Sequence, residues 1–392
     1  MCKAVKEPHP VWWKQRRLWC TAILSFVALE ATHRVLNDHR ESSRDIQGNA
    51  LLRVEVKHVA TALATKDEEA KVDGTSKASH PLFGFYMMGD TPYSDWEEVM
   101  LGAQIANITS NRPDHTVFTI HVGDIQKVTR SNCERAYYKK IQRTLRQNAL
   151  PTLIIPGDND WYDCESREDS WNLFQEHFSG MEKYWYDRLP QGVPRMKIRR
   201  WESHPEYFVM QHEGILFVSI HLIHANPKNE PEGVFDERVR RSIEWVNRNV
   251  QDYFERYSIR GVILFGHSLR SPYTRPFFEG IVGSFINDTQ KEDIPVLYLH
   301  GDGHDWRIDT KFSHQLHWKY YHDVQVDQGG LADPCLVEIA PQIDGKLVPL
   351  EKEHDNQFLF GKGLFRIDRQ RGRYTGDILA QYGAPSSMVQ AA

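Results

Sequence analysis

From residue 81 onward the chain alternates between short apolar runs and longer stretches in which apolar positions recur every three or four residues. The runs Phe83 to Met88, Thr116 to Val122, Thr152 to Ile155, Ile215 to Ile220, Gly261 to Phe265 and Val296 to Leu299 are rich in β-branched and aromatic side chains, which predicts strands. Helical spacing is clearest from Arg238 to Tyr257, where Val239, Ile243, Val246, Val250 and Phe254 fall on one face. Strands alternating with helices predict an α/β fold.

Ahead of this pattern the chain reads differently. Lys14, Arg16 and Arg17 precede the apolar run Leu18 to Leu29, which has the length of a signal-peptide core and falls short of the roughly 20 residues of a spanning helix. Residues 1–31 are therefore expected to be a signal peptide or short membrane anchor, leading to secretion or an endomembrane lumen; an ordinary amphipathic helix is the competing reading. Residues 32–80 are expected to be a polar linker region, 81–375 the folded domain and 376–392 a C-terminal tail. Two sequons, at Asn107 and Asn287, agree with a secretory route. Of the five cysteines, Cys133, Cys164 and Cys335 fall in the domain, and a Cys133–Cys164 disulfide stands beside unpaired buried thiols as the alternative.

Composition adds two exclusions. At 392 residues and 40% hydrophobic the chain can bury a large core without relying on disulfides. Its 48 basic and 53 acidic residues are interspersed, with a net charge of -5, so no basic face suits nucleic acid. Nothing in the sequence sets an oligomeric state.

Chemistry enters at the strand ends. Asp90 follows the first predicted strand, Asp124 the second, Asp158 and Asn159 the third, His267 the fifth, and Asp302 with His304 the sixth. A single Gly-Asp after a strand is usually a turn or helix cap. Five such segments in series, two of them carrying histidine, point instead to a site at the edge where open α/β sheets bind ligands.

The segments Gly89-Asp90-Thr91-Pro92-Tyr93, His121-Val122-Gly123-Asp124, Pro156-Gly157-Asp158-Asn159-Asp160-Trp161, Gly266-His267 and His300-Gly301-Asp302-Gly303-His304 resemble the motif series of the calcineurin-like metallophosphoesterases. The likeness is nearest to a branch with GDTPY, HVGD, PGDNxWxDC and HGDxH signatures. It implies a four-layer α/β/β/α sandwich with two mixed sheets, and two divalent metal ions (Mn, Fe, Mg or Zn) about 4 Å apart. By the same resemblance Asp124 bridges the metals, Asp90 and His304 complete one, and Asp158 or Asn159 with His267 and Asp302 complete the other. The function implied is hydrolysis of phosphomonoesters or phosphodiesters by a metal-bridging hydroxide.

Three positions depart from the family pattern. Pro92 stands where a ligand His is usual, so that position falls to Tyr93 or water. Asn159 stands where a catalytic His is usual, and Asp302 replaces the first His of the last motif. The carboxylate-rich set favours harder cations over zinc. His300 and His224 are candidate general acids and Arg270 a candidate phosphate-binding residue, against a salt-bridged Arg270. His121 and His221 read as hydrogen-bonded core histidines; Trp96, Trp161, Trp171 and Trp306 read as packing. The alternative function is a catalytically weak or inactive relative that binds a phosphate-bearing ligand or a protein partner.

Overall fold

The computed structural model describes residues 80–127, 133–223, 230–289, 291–309 and 311–391. Its strands, in chain order, are Phe83–Met88 (β1), Thr116–His121 (β2), Thr152–Ile154 (β3), Arg199–Trp201 (β4), His204–His212 (β5), Ile215–Ser219 (β6), Gly261–Phe265 (β7), Val296–His300 (β8), Arg307–Asp309 (β9), Tyr321–Gln325 (β10), Cys335–Ile339 (β11), Gln342–Ile343 (β12), Lys346–Leu347 (β13), Gln357–Phe360 (β14) and Phe365–Asp368 (β15). The main helices are Asp95–Asn111 (α1), Arg135–Leu145 (α2), Arg167–Phe178 (α3), Val234–Arg256 (α4) and Arg275–Ile286 (α5). All six predicted strands are present, with ends shifted by a residue at most. The periodic helix is α4, which begins four residues earlier than its apolar spacing indicates, after Gly233.

Two mixed sheets form. The first has the order β14-β15-β11-β1-β2-β3 and the second β4-β5-β6-β7-β8-β10-β9. β1 runs parallel to β2 and β2 to β3, while β6, β7, β8 and β10 run parallel in the second sheet. Every residue of β1 is buried, as expected where both faces of a parallel strand are covered.

Alternation along the strands builds the layers. Phe83, Phe85 and Met87 face the second sheet, joining Phe118, Phe217 and Phe265 in one core. Phe85 stacks on Phe118 at 4.6 Å and meets Phe217 edge-on at 5.7 Å. Each such ring contributes about 1.5–3 kcal/mol by leaving water. Tyr86 and Met88 point the other way, into a core shared with α1, α2 and α3, while α4 and α5 cover the outer face of the second sheet through Trp245, Val246, Phe278 and Ile281. The result is the four-layer α/β/β/α sandwich, with the C-terminal ends of β1, β2, β3, β7 and β8 on one edge.

At the chain's end, residues 376–391 form two short helices, Gly376–Gln381 (α7) and Ser386–Ala391 (α8), which follow the one-turn Lys311–Gln315 (α6); Leu379 and Tyr382 are buried, whereas α8 buries no residue. The leader, most of the polar linker and His224 lie outside the described residues.

Candidate metal centre

Each acid or imidazole expected at the site sits on the short loop that follows a parallel strand, and the loops are sewn to one another through their backbones. Asp90 N–H donates to Gly123 O at 3.0 Å, Thr91 N–H to Asp124 O at 2.9 Å, and Gly301 N–H to His267 O at 3.1 Å. Asp160 is the staple of the acidic half: its carboxylate accepts from the N–H groups of Asp124 (3.0 Å), Ile125 (2.7 Å) and Gly157 (2.7 Å). Glycine is required at two close approaches. A Cβ on Gly157 would collide with Asp124 Oδ1, and one on Gly301 with Asp90 Oδ2.

Asp90 (φ 53°), Asp124 (φ 61°), Asp302 (φ 69°) and His304 (φ 64°) all occupy the left-handed region, which costs non-glycine residues of order 1–3 kcal/mol each. Such conformations persist where surrounding contacts over-determine them. Here those contacts converge the side chains.

The ligand-bearing atoms of Asp90, Asp124 and His267, and of Asp158, His267 and Asp302, lie within 4.8 Å of one another. His267 decides what the cluster can hold. Its Nδ1 donates to the carbonyl of Val122 at 2.8 Å, which turns Nε2 towards Asp124 Oδ1 (3.3 Å) and Asp158 Oδ1 (3.2 Å). Both Nε2 and Asp158 Oδ1 are sealed from solvent and make no hydrogen bond. With the imidazole neutral, three lone-pair atoms this close repel unless a cation lies among them; without one the imidazole takes a proton, and imidazole with carboxylates is a donor set that divalent transition metals accept. The residues present therefore fit a metal ion.

The electrostatics carry the same demand. Burial alone would lower the His267 pKa, but the surrounding Asp124, Asp158 and Asp90 carboxylates pull it well above the ordinary value. Burial, reinforced by Asp124, raises Asp158 and Asp160 to about 7 each. Asp90 is likewise pushed well up, by burial and by Asp124 and Asp302. Burial also works against ionised Asp124, yet His267, Tyr93 and Asn159 override it and hold that carboxyl below its usual range. Too many carboxylates share too little positive charge.

Asp158 and Asn159 divide the roles that the sequence leaves open. Asp158 is in the donor cluster, whereas the Asn159 side-chain amide donates to Asp124 Oδ2 at 2.6 Å and its backbone N–H to Asp124 Oδ1 at 3.1 Å. His304 Nε2 lies 3.5 Å from Asp90 Oδ1 with its side chain 45% exposed, so it faces the opening of the site. Tyr93, 8% exposed, places its hydroxyl 2.8 Å from Asp124 Oδ2 and 3.2 Å from Asp90 Oδ1.

Two expected catalytic residues are corrected. His300 is buried with Nε2 2.9 Å from Asp323 Oδ1 and Nδ1 3.0 Å from Gly301 O, so its ring faces the interior and cannot meet a leaving group. Arg270 is bound to Asp309 and lies over the Phe312 ring at 4.4 Å, which is the salt-bridged reading. His121 and His221 are core histidines: His121 Nε2 donates to Thr91 O at 2.9 Å and burial lowers its pKa to about 4, while His221 pairs with Glu206 at 3.3 Å. Trp161 and Trp171 pack with His221, Trp306 packs on Phe358, and Trp96 is buried. Cys133 and Cys164 form a disulfide, Cα atoms 6.0 Å apart, and Cys335 is a free buried thiol. Asn107 lies within α1, bonded to Asn111, and Asn287 is exposed at the end of α5.

Two residues escape a motif reading. Asp160 lies inside a quoted segment, but its role as a backbone staple is visible only in three dimensions. Glu97, one turn into α1, accepts the Tyr93 N–H at 2.6 Å and is tied to Gln328 at 3.1 Å; its signal is no more than an acid in a helix's first turn.

Neither a family model nor a curated protein matches the chain. Among solved structures it is similar to a 5'-nucleotidase from Candida albicans, at 12% identity and a TM-score of 0.43, covering 79% of this chain and 57% of that one. TT1561 of Thermus thermophilus aligns at 10% identity and a TM-score of 0.35, over 66% of this chain and 94% of that one. The Thermus thermophilus sulfate thiohydrolase SoxB aligns at 14% identity and a TM-score of 0.32, over 74% and 45% respectively. The chain thus spans little more than half the length of the nucleotidase. Its function has to be argued from its own site.

Proposed function

We propose that the chain is a metal-dependent hydrolase of phosphomonoesters or phosphodiesters. The observation that carries this reading is the convergence of His267 Nε2 with Asp124 Oδ1 and Asp158 Oδ1, at 3.3 and 3.2 Å, with the tautomer set by Val122. Asp90, Asp124, Asp158, His267, Asp302 and His304 would hold two divalent cations, Mn, Fe, Mg or Zn. When bound, such ions supply Lewis acidity towards phosphoryl oxygens and lower the pKa of a coordinated water.

The chain's own groups do the rest. Asp160 keeps the Asp124 and Gly157 loops in register, and the His267–Val122 bond holds the imidazole on its axis. Asn159 steadies Asp124 with one amide hydrogen and has a second to offer a substrate oxygen. With the His300 ring bonded to Asp323, that position offers the leaving group no acid, and Arg270, bound to Asp309, is not offered to a phosphoryl oxygen. That favours esters whose leaving groups have low pKa, such as aryl phosphates. A secretory location is part of the same proposal, supported by the Leu18 to Leu29 run, the disulfide and the exposed Asn287 sequon.

The test is metal analysis of the purified chain together with hydrolysis of an aryl phosphate by wild type and Asp124→Asn. Bound metal and activity lost in the variant support the reading. A protein that binds metal without turnover would instead be the inactive, ligand-binding relative, and equal activity in both proteins would sink the metal mechanism.

A further inference from the structure

Arg260 stands at the opposite end of β7 from His267, roughly 20 Å away along the strand at about 3.3 Å per residue. Its Nε donates to the Glu213 carbonyl at 2.9 Å and its Nη1 to the Ala340 carbonyl at 2.6 Å, so two bonds fix the plane of the guanidinium. Its Nη2 is sealed from solvent and has no partner. A buried donor without an acceptor is costly, and burial also pulls the Arg260 pKa down, with Glu213 as the opposing charge.

Arg260 lines a cavity of about 120 Å³, which it shares with Lys362, Tyr320, Gln342 and Pro295. At about 30 Å³ per water, that is room for about four waters or one small oxyanion. Lys362 brings a second cation. It occupies the left-handed region (φ 60°) in the turn between β14 and β15, and its Nζ lies 4.5 Å from the Tyr320 ring centre. Asp293 Oδ1 is 3.9 Å from that Nζ, with both side chains exposed, and Lys319 lies over the same Tyr320 ring at 4.7 Å. The acids in reach, Glu213, Glu292 and Asp293, are all exposed, so the buried charge at the cavity is positive. The wall is built for close approach: a Cβ on Gly361 would collide with Pro295.

We propose that this cavity is a binding site for a small tetrahedral oxyanion, inorganic phosphate or sulfate, held by Arg260 Nη2 and the Lys362 ammonium. A planar guanidinium and an ammonium on a flexible stem are donors that suit such an ion. Bound there, it ties the residues entering β7 and β8 to the turn between β14 and β15, and it stabilises the fold by mass action. The site is independent of the metal centre at the other end of the strands.

The experiment titrates the full chain, stripped by chelator, with sodium phosphate and separately with sodium sulfate in a calorimeter; sodium acetate is the planar-anion arm. Wild type is expected to take up phosphate or sulfate and not acetate, and the tighter of the two identifies the ion. Arg260→Gln is expected to weaken binding about 10–100-fold. Lys362→Glu, at an exposed side chain, serves if Arg260→Gln fails to fold and is expected to weaken binding about 10-fold. No heat with either tetrahedral anion leaves water as the occupant and overturns the proposal, as does equal affinity in wild type and both variants. Acetate bound as tightly as phosphate overturns the assignment to a tetrahedral ion. Binding lost in Asp124→Asn but kept in Lys362→Glu would put the anion in the acid cluster and overturn it too, while leaving the metal centre standing.

Discussion

Two buried charge clusters occupy opposite edges of the first sheet, and they balance their charge differently. At the N-terminal end of β1, Glu338 meets Arg366 at 2.7 Å and His115 at 3.0 Å, with Glu338 and Arg366 each 5% exposed. Arg366 spends its remaining donors on Glu353 and the Glu351 carbonyl. At the C-terminal end Asp90, Asp124 and Asp158 gather around His267 and His304, and none of these three acids pairs with an arginine or lysine among the described residues. The first cluster is complete within the protein and holds strands β11 and β15 together. The second is short of positive charge, the condition in which a site captures a cation.

Breaking the balanced cluster has the largest expected effect on stability. Arg366→Met strands Glu338 in a dry environment and is expected to cost about 3–5 kcal/mol in urea unfolding, with metal content per folded molecule unchanged. Loss of metal in this variant would mean that the two edges are not independent.

Gly157→Ala tests the other edge. Its new Cβ collides with Asp124 Oδ1, so stability is expected to fall by about 1–3 kcal/mol and metal affinity by about 10–100-fold, measured by calorimetry. The equivalent change at Gly192, where a Cβ meets nothing within 4 Å, controls for added bulk, though its positive φ carries its own strain.

The two edges should also respond to pH with opposite signs. Asp158 and Asp160 hold their protons to about pH 7 in the folded chain, so between roughly pH 4 and 7 the native state binds more protons than the unfolded one. Their contribution to stability falls as pH rises through that window. At Glu338 burial opposes ionisation, but His115 and Arg366 override it and depress the pKa, so its contribution is present above the unfolded value and lost as pH falls through the folded one. Urea midpoints of chelated wild type against pH should fall towards neutrality, partly offset by Asp124, and saturating metal should abolish the fall. Arg240→Ala on the solvent face of α4 marks the small end: its pairs with Glu237 and Glu244 are exposed and screened by water, and the urea midpoint is expected to stay unchanged.

How much of this is legible in the chain depends on range. Strand-end acids announce themselves because a parallel strand and the loop after it are contiguous in sequence, so spacing alone places Asp90, Asp124, Asp158, His267 and Asp302. The antiparallel strands β5, β11, β14 and β15 escape that reading; their short, mixed segments acquire meaning only from partners far along the chain, as when Gly84 pairs with Glu338. His300 and Arg270 mislead for the same reason. Adjacency to a motif says which loop a side chain leaves, but Asp323 and Asp309 decide where it points. Asp160 and Tyr93 sit inside quoted motifs, and only distances reveal that one staples the backbone while the other enters the cluster.

The bond from His267 to the Val122 carbonyl joins a side chain of the second sheet to the main chain of the first. Asp302 N–H likewise reaches back to Asp90 across 212 positions. A nascent or partly unfolded chain therefore owns the ligands without owning the site, because no stretch of one sheet alone contains it. On the proposed reading of the site as a metal centre, metal capture would report on the last step of assembly, the docking of the two sheets, and a bound ion would act as a latch that slows their separation. Amide exchange in β7 and β8 would be the place to watch that latch close.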